Sequence, residues 1–141
     1  MQMSVTQCKK RLSTLWFVGS AIVFSIILFQ TFFGHYSDKA QEAWSWFLPT
    51  VLPTLSLMIG VFVTEALWGR YTEKHIDSFI FKLSFYLSIF YFVIVFLTVM
   101  MQPVVTNAAI GFLKQSNLWL APIQGLAAAS IGAFFVKTGQ A

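Results

Sequence analysis

Apolar residues run almost unbroken from Leu12 to Phe33, from about Trp44 to Trp68, from about Phe79 to Met101 and from about Leu118 to Val136, with polar residues gathered between the runs. A membrane-crossing helix needs about 20 mostly apolar residues, so each run predicts one span. The first, LSTLWFVGSAIVFSIILFQTFF, would reach roughly 33 Å as a helix. Trp44, Trp46 and Trp68 mark the ends of the second, as expected where amphipathic rings sit at headgroup depth. The third carries aromatic rings all round, and the fourth is short, rich in small residues and entered past Asn117, Trp119 and Pro122. The pattern predicts an all-α integral membrane protein, one domain over residues 1–141, with four transmembrane helices in an up-down bundle and no soluble domain.

The stretch between the third and fourth runs is neither span nor ordinary loop. Val104, Val105, Ala108, Ala109, Phe112 and Leu113 fall on one helical stripe. Pro103 suits a first turn, and Thr106, Asn107, Lys114 and Gln115 would point to headgroups and water. A short interfacial helix is predicted there, with a shallow re-entrant segment as the alternative.

Composition agrees with a lipid environment: 57% of residues are hydrophobic and 10% charged, against about 25% charged in soluble domains. The net charge of +4 comes from basic residues scattered at helix ends, which make no basic face for nucleic acid. They do set an orientation, because cytoplasmic segments retain an excess of Lys and Arg. With both termini inside, Lys9, Lys10, Arg11, Arg70, Lys74, Lys82 and Lys137 lie on the inner side, and Lys39 and Lys114 on the outer. Both termini are therefore expected in the cytoplasm of a bacterial inner-membrane protein. The basic residues before Leu12 invite comparison with a signal peptide, but the apolar run is too long and no small-x-small cleavage pattern follows it. The first two helices laid over the second two show no repeat, which disfavours an inverted-repeat transporter within one chain.

Candidate chemistry is sparse. Ala121, Gly125, Ala129 and Ala133 recur at intervals of four, and Ser56, Gly60 and Thr64 do the same on helix two. Small residues let helix backbones approach closely in lipid, so each stripe would either fold the bundle or join subunits. Glu65 is the one acidic residue within a predicted span, and an ionisable group there is a functional candidate. It lies three residues before Trp68, and Lys82 lies equally far into helix three. The two would form a structural ion pair, or Glu65 would couple a proton or cation. Gln30, Thr50, Thr54, Gln102 and Gln124 stand in the outer thirds of the four helices. They would line a neutral outward vestibule or simply hydrogen-bond adjacent helices.

No histidine stands in a span to ligate haem. The His, Asp and Glu residues are dispersed over both faces, and the lone Cys8 allows no cysteine cluster. No cofactor or metal is expected. Phosphate loops, HExxH and nucleophile elbows are absent, so no enzyme is expected. The layout resembles small multidrug transporters, whose essential glutamate lies in the first span, but here no charge stands between Leu12 and Phe33. Four helices with almost no extramembrane mass also resemble membrane subunits of bacterial antiviral operons, which implies a part in sensing or damaging the inner membrane.

The sequence therefore predicts a non-enzymatic, self-associating inner-membrane protein that forms, gates or perturbs a pathway through the bilayer. One alternative is a membrane anchor or sensor subunit, as in an antiviral defence system, for a cytoplasmic protein partner at the 69–78 loop, which carries Arg70, Glu73, Lys74, His75 and Asp77. A second is a small transporter coupled through Glu65. The expected partners are the lipid bilayer and further copies of the chain, with no nucleic acid.

Overall fold

The computed structural model of the chain describes residues 3–68, 75–76, 78–101 and 109–139. Four long helices account for nearly all of them: α1 (Val5–Phe32), α2 (Ala40–Trp68), α3 (Ser78–Met101) and α4 (Ala109–Gly139). Each contains a stretch long and apolar enough to cross a membrane. In hydrocarbon every backbone N–H and C=O must be satisfied within the segment, which is what makes such runs helical. A 3-10 turn, Ser37–Lys39, leads into α2, and Gly34 at φ 71° turns the chain before it. Only a residue without Cβ takes that conformation freely.

The helices extend beyond the apolar runs. α1 begins at Val5, so the polar residues before Leu12 form its first turns, and α2 begins at Ala40. The separate interfacial helix is not observed. The stretch 102–108 lies outside the described residues, and 109–117 forms the opening turns of α4. The reason lies in the stripe: Leu113, Ser116 and Leu120 are buried at helical spacing, so packing continues through the expected break. Pro122 stays inside the helix, where it frees the carbonyl of exposed Leu118.

The order around the bundle is α1, α2, α4, α3, so that α2 and α3 stand on one diagonal and α1 and α4 on the other. One end, here called proximal, holds the start of α1 and the end of α4, since Lys9 Nζ lies 5.8 Å from the centre of the Phe135 ring. Met3 and Ser4 pair antiparallel with Ile76 and His75, tying the chain's beginning to the α2–α3 connection at that same end. At the distal end, Glu42 of α2 and Lys114 of α4 form an exposed ion pair at 2.7 Å.

Lipid supplies no hydrophobic drive between helices, so close packing and hydrogen bonds must hold them. Trp16, Tyr91, Ile27, Met58, Ile131 and Phe134 are fully buried between the four helices. Trp16 stacks on Tyr91 at 5.6 Å and meets Phe92 edge-on at 4.8 Å. Gly19 makes that approach feasible: a Cβ there would lie 2.9 Å from the Phe92 ring. A chain of hydroxyls then links three helices. Trp16 Nε1 donates to Ser88 Oγ at 2.9 Å, and Ser88 Oγ donates to the Ser84 carbonyl at 2.7 Å. Ser84 Oγ donates to the Ser130 carbonyl of α4 at 3.0 Å.

Candidate functional site

The most distinctive local chemistry lies where α2 passes its two prolines. Proline has no N–H, so Pro53 leaves the Pro49 carbonyl without its helical donor. In lipid an orphan carbonyl is costly. Gln124 of α4 supplies the missing donor: its Nε2 lies 3.0 Å from the Pro49 carbonyl and 2.9 Å from that of Thr50. The Tyr91 hydroxyl, reaching across the diagonal from α3, donates to the same Thr50 carbonyl at 2.8 Å. Thr50 Oγ1 is occupied within its own helix, donating to the Trp46 carbonyl at 2.7 Å. Three helices thus meet at the proline turn of α2.

Beside this proline turn, α2 and α4 leave an open groove of about 390 Å³. Pro49, Pro53 and Leu57 wall it on α2, and Ala121, Gly125 and Ala128 on α4. Thr54 and Gln124 are its polar members. Thr54 is only 3% exposed, and its hydroxyl has no hydrogen-bond partner among the described residues, a condition shared with Ser13 and Ser20 of α1. Among the described residues no titratable side chain lines the groove, so its chemistry there is that of shape and neutral hydrogen bonding.

The small-residue stripes flank this groove and do not pack against each other. Ser56 and Gly60 of α2 are exposed, as are Ala121, Gly125, Ala129 and Ala133 of α4. Nothing lies within 4 Å of where a Cβ would stand on Gly60 or Gly125. The side chain of Thr64 lies outside the described residues. The bundle instead closes α2 on α4 through Trp46 Nε1, which donates to Ser116 Oγ at 3.1 Å, the Gln124 contacts and the Phe62–Phe135 rings. The stripes present a smooth outer surface.

Of the outer polar residues, Thr50, Thr54 and Gln124 come together at the proline turn of α2. Gln30 does not join them. It accepts a 2.6 Å hydrogen bond from the Tyr36 hydroxyl, near the distal end of α1. Phe24 packs on Trp44 and Phe47, a register that puts Gln30 roughly 15 Å beyond the level of Thr50. Gln102 lies outside the described residues, as do the Glu65 side chain and Arg70, Glu73, Lys74 and Asp77 of the inner loop. Lys82 is exposed on α3 beside Phe79 and Tyr86, and α3 stands diagonal to α2.

Sequence reasoning passed over the residues that matter most inside: Trp16, Gly19, Ser130 and Tyr91. The recurrence of Ser84 and Ser88 four apart on an otherwise bulky helix was the available signal. Among the described residues no group of three or more His, Cys, Asp and Glu side chains could hold a metal ion. Comparison of the chain with protein families, curated proteins and solved structures finds no match.

Proposed function

We propose that this chain is a small, non-enzymatic membrane protein that self-associates in a bacterial inner membrane, with both termini cytoplasmic, and whose assembled copies form, gate or perturb a pathway through the bilayer. The observation that carries the reading is the exposure of the Ala121, Gly125, Ala129 and Ala133 stripe beside an open groove. Small residues in lipid are useful where backbones approach, and inside this bundle none of the four is used that way. A surface so smooth suits another helix.

The test is the mass of the purified protein in nanodiscs, with Gly125→Leu beside the wild type. Gly125 has open space above it, so leucine should leave the monomer folded while its bulk reduces the oligomer at least tenfold. Ion leakage from vesicles holding the wild type should fall in parallel. A monomeric wild type, or an oligomer indifferent to Gly125→Leu, overturns the reading.

A second reading draws on the proximal end. The backbone pairing of Met3 and Ser4 with Ile76 and His75 brings the start of α1 beside the residues that precede α3, and a cytoplasmic protein could dock at that end of the bundle. In that case the chain serves as a membrane anchor or sensor subunit, with antiviral defence among the settings that suit it. Stoichiometric copurification of one soluble protein, lost on replacing the loop, would favour it.

A further inference from the structure

The described cations divide by what holds them. Lys114 is paired with Glu42 at the distal end, where Lys39 also stands in the turn before α2, and Lys9 is buried with its Nζ over the Phe135 ring. Lys10, Arg11 and Lys82 remain, all exposed near the proximal end and none in an ion pair among the described residues. Two of the three border one seam. Arg11, Leu15 and Gly19 recur at intervals of four on α1, and Lys82, Phe85, Ile89 and Phe92 at three and four on α3. Gly19 lies against the Phe92 ring, so each stripe leaves that contact, passes half-buried Leu15 or Phe85 and Ile89, and ends on an exposed cation. Lys10 belongs to another flank: Phe17 and Phe24 follow it at intervals of seven, and Phe24 packs on Trp44 and Phe47 of α2.

Arg11 and Lys82 also share a level. α1 and α3 run parallel, and the two cations lie eight residues before Gly19 and ten before Phe92, a difference of about 3 Å by helical rise. Like charges so placed repel, most strongly where the medium is least polar, and an anion beside both relieves the repulsion. Next to Lys82, α3 carries a recess of about 340 Å³ lined by Phe79, Leu83, Tyr86 and Leu87. Tyr86 is 66% exposed, and its hydroxyl has no partner among the described residues. It lies one turn, about 6 Å, deeper than Lys82, and tyrosines concentrate at headgroup level. From the proximal surface inward the flank therefore offers positive charge, then a hydroxyl donor, then the apolar side chains of Leu87 and Phe90. A phospholipid has the same order: phosphate, ester carbonyls, acyl chains.

We propose that the α1–α3 flank at the proximal end binds an anionic phospholipid of the surrounding bilayer, its phosphate between Arg11 and Lys82, an ester carbonyl accepting from the Tyr86 hydroxyl and one acyl chain running past Leu87. Phosphate is the chemistry that lipid headgroups share with free anions, and the apolar recess commits the site to the lipid. The site is complete within one chain, so it holds whether or not copies associate.

Native mass spectrometry of the purified chain in neutral detergent, titrated with phosphatidylglycerol or with phosphatidylcholine, tests this. Phosphatidylglycerol should bind at least tenfold more tightly, since each basic residue near a lipid surface contributes about fivefold in affinity. Arg11→Gln and Lys82→Gln should each weaken it about fivefold, Lys82→Arg should keep it, and Lys10→Gln should leave it unchanged, although Lys10 carries the same charge at the same end. All three positions are exposed, so the variants should unfold at the wild-type temperature. Glycerol phosphate, which has no acyl chains, should not displace the lipid. Equal affinity for the two lipids, displacement by glycerol phosphate, or a loss on Lys10→Gln as large as on Lys82→Gln overturns the proposal, the last because it marks a diffuse basic end in place of a site.

Discussion

Gly19 is the residue with least freedom to change. Its missing side chain is where the Phe92 ring stands, with ring atoms at 2.9 to 3.0 Å from the position a Cβ would take. Gly19→Leu must push α1 from α3 or turn Phe92 out of its rotamer. A loss of about 1 to 3 kcal/mol is expected, the usual range for an overfilled core. Thermal unfolding in detergent should show it, and Phe92→Ala in the same chain should recover part of the loss by emptying the same space. Gly125→Leu should leave monomer stability unchanged. Glycines of similar sequence context thus differ in role, because one faces a ring and the other open space.

The four elements were legible because each run is long and apolar, and lipid admits few other solutions for such a chain. Their ends were less so. Polar residues before Leu12 and around Lys114 read as tail and headgroup-facing turns, yet Leu113, Ser116 and Leu120 bury one continuous stripe. Neighbour relations were not legible at all: periodicity shows that Gly125 and Ala129 share a face, and nothing in it says whether that face looks inward. Pairing across helices is likewise invisible in the sequence, as at the proline turn of α2. Gln124→Leu there should leave the Pro49 carbonyl orphaned, at a cost of about 0.6 to 1.7 kcal/mol, the range for hydrogen bonds between membrane helices. Pro53→Ala restores an N–H in α2 that can reach that carbonyl. The double variant should therefore lose less than Gln124→Leu alone, and a thermal-stability cycle over the four proteins checks it.

At the scale of the whole molecule, the bundle sorts its charge by end. Trp16 meets Ser88 on parallel helices, and six residues back from each are Lys10 and Lys82, so these two exposed cations stand at one depth. Lys9 and Arg11 adjoin them at the proximal end, while Lys114 at the distal end is already matched by Glu42. Excess Lys and Arg stay cytoplasmic. A phosphatase active only outside the cytoplasm should therefore be silent when fused after Ala141 and active when inserted near Lys39. The opposite pattern would invert the molecule.

The serine chain through Trp16, Ser88, Ser84 and Ser130 also bears on the order of assembly. Helices leave the ribosome in sequence, and Ser84 finds its acceptor only on the last of them. Until α4 arrives, the Ser84 hydroxyl can only turn back on its own helix, as Ser88 does toward the Ser84 carbonyl, and one flank of α3 stays bare in the hydrocarbon. A chain cut short before Ala109 would therefore leave bare the flank of α3 that α4 covers, with Ser84 and Phe81 on it turned to lipid.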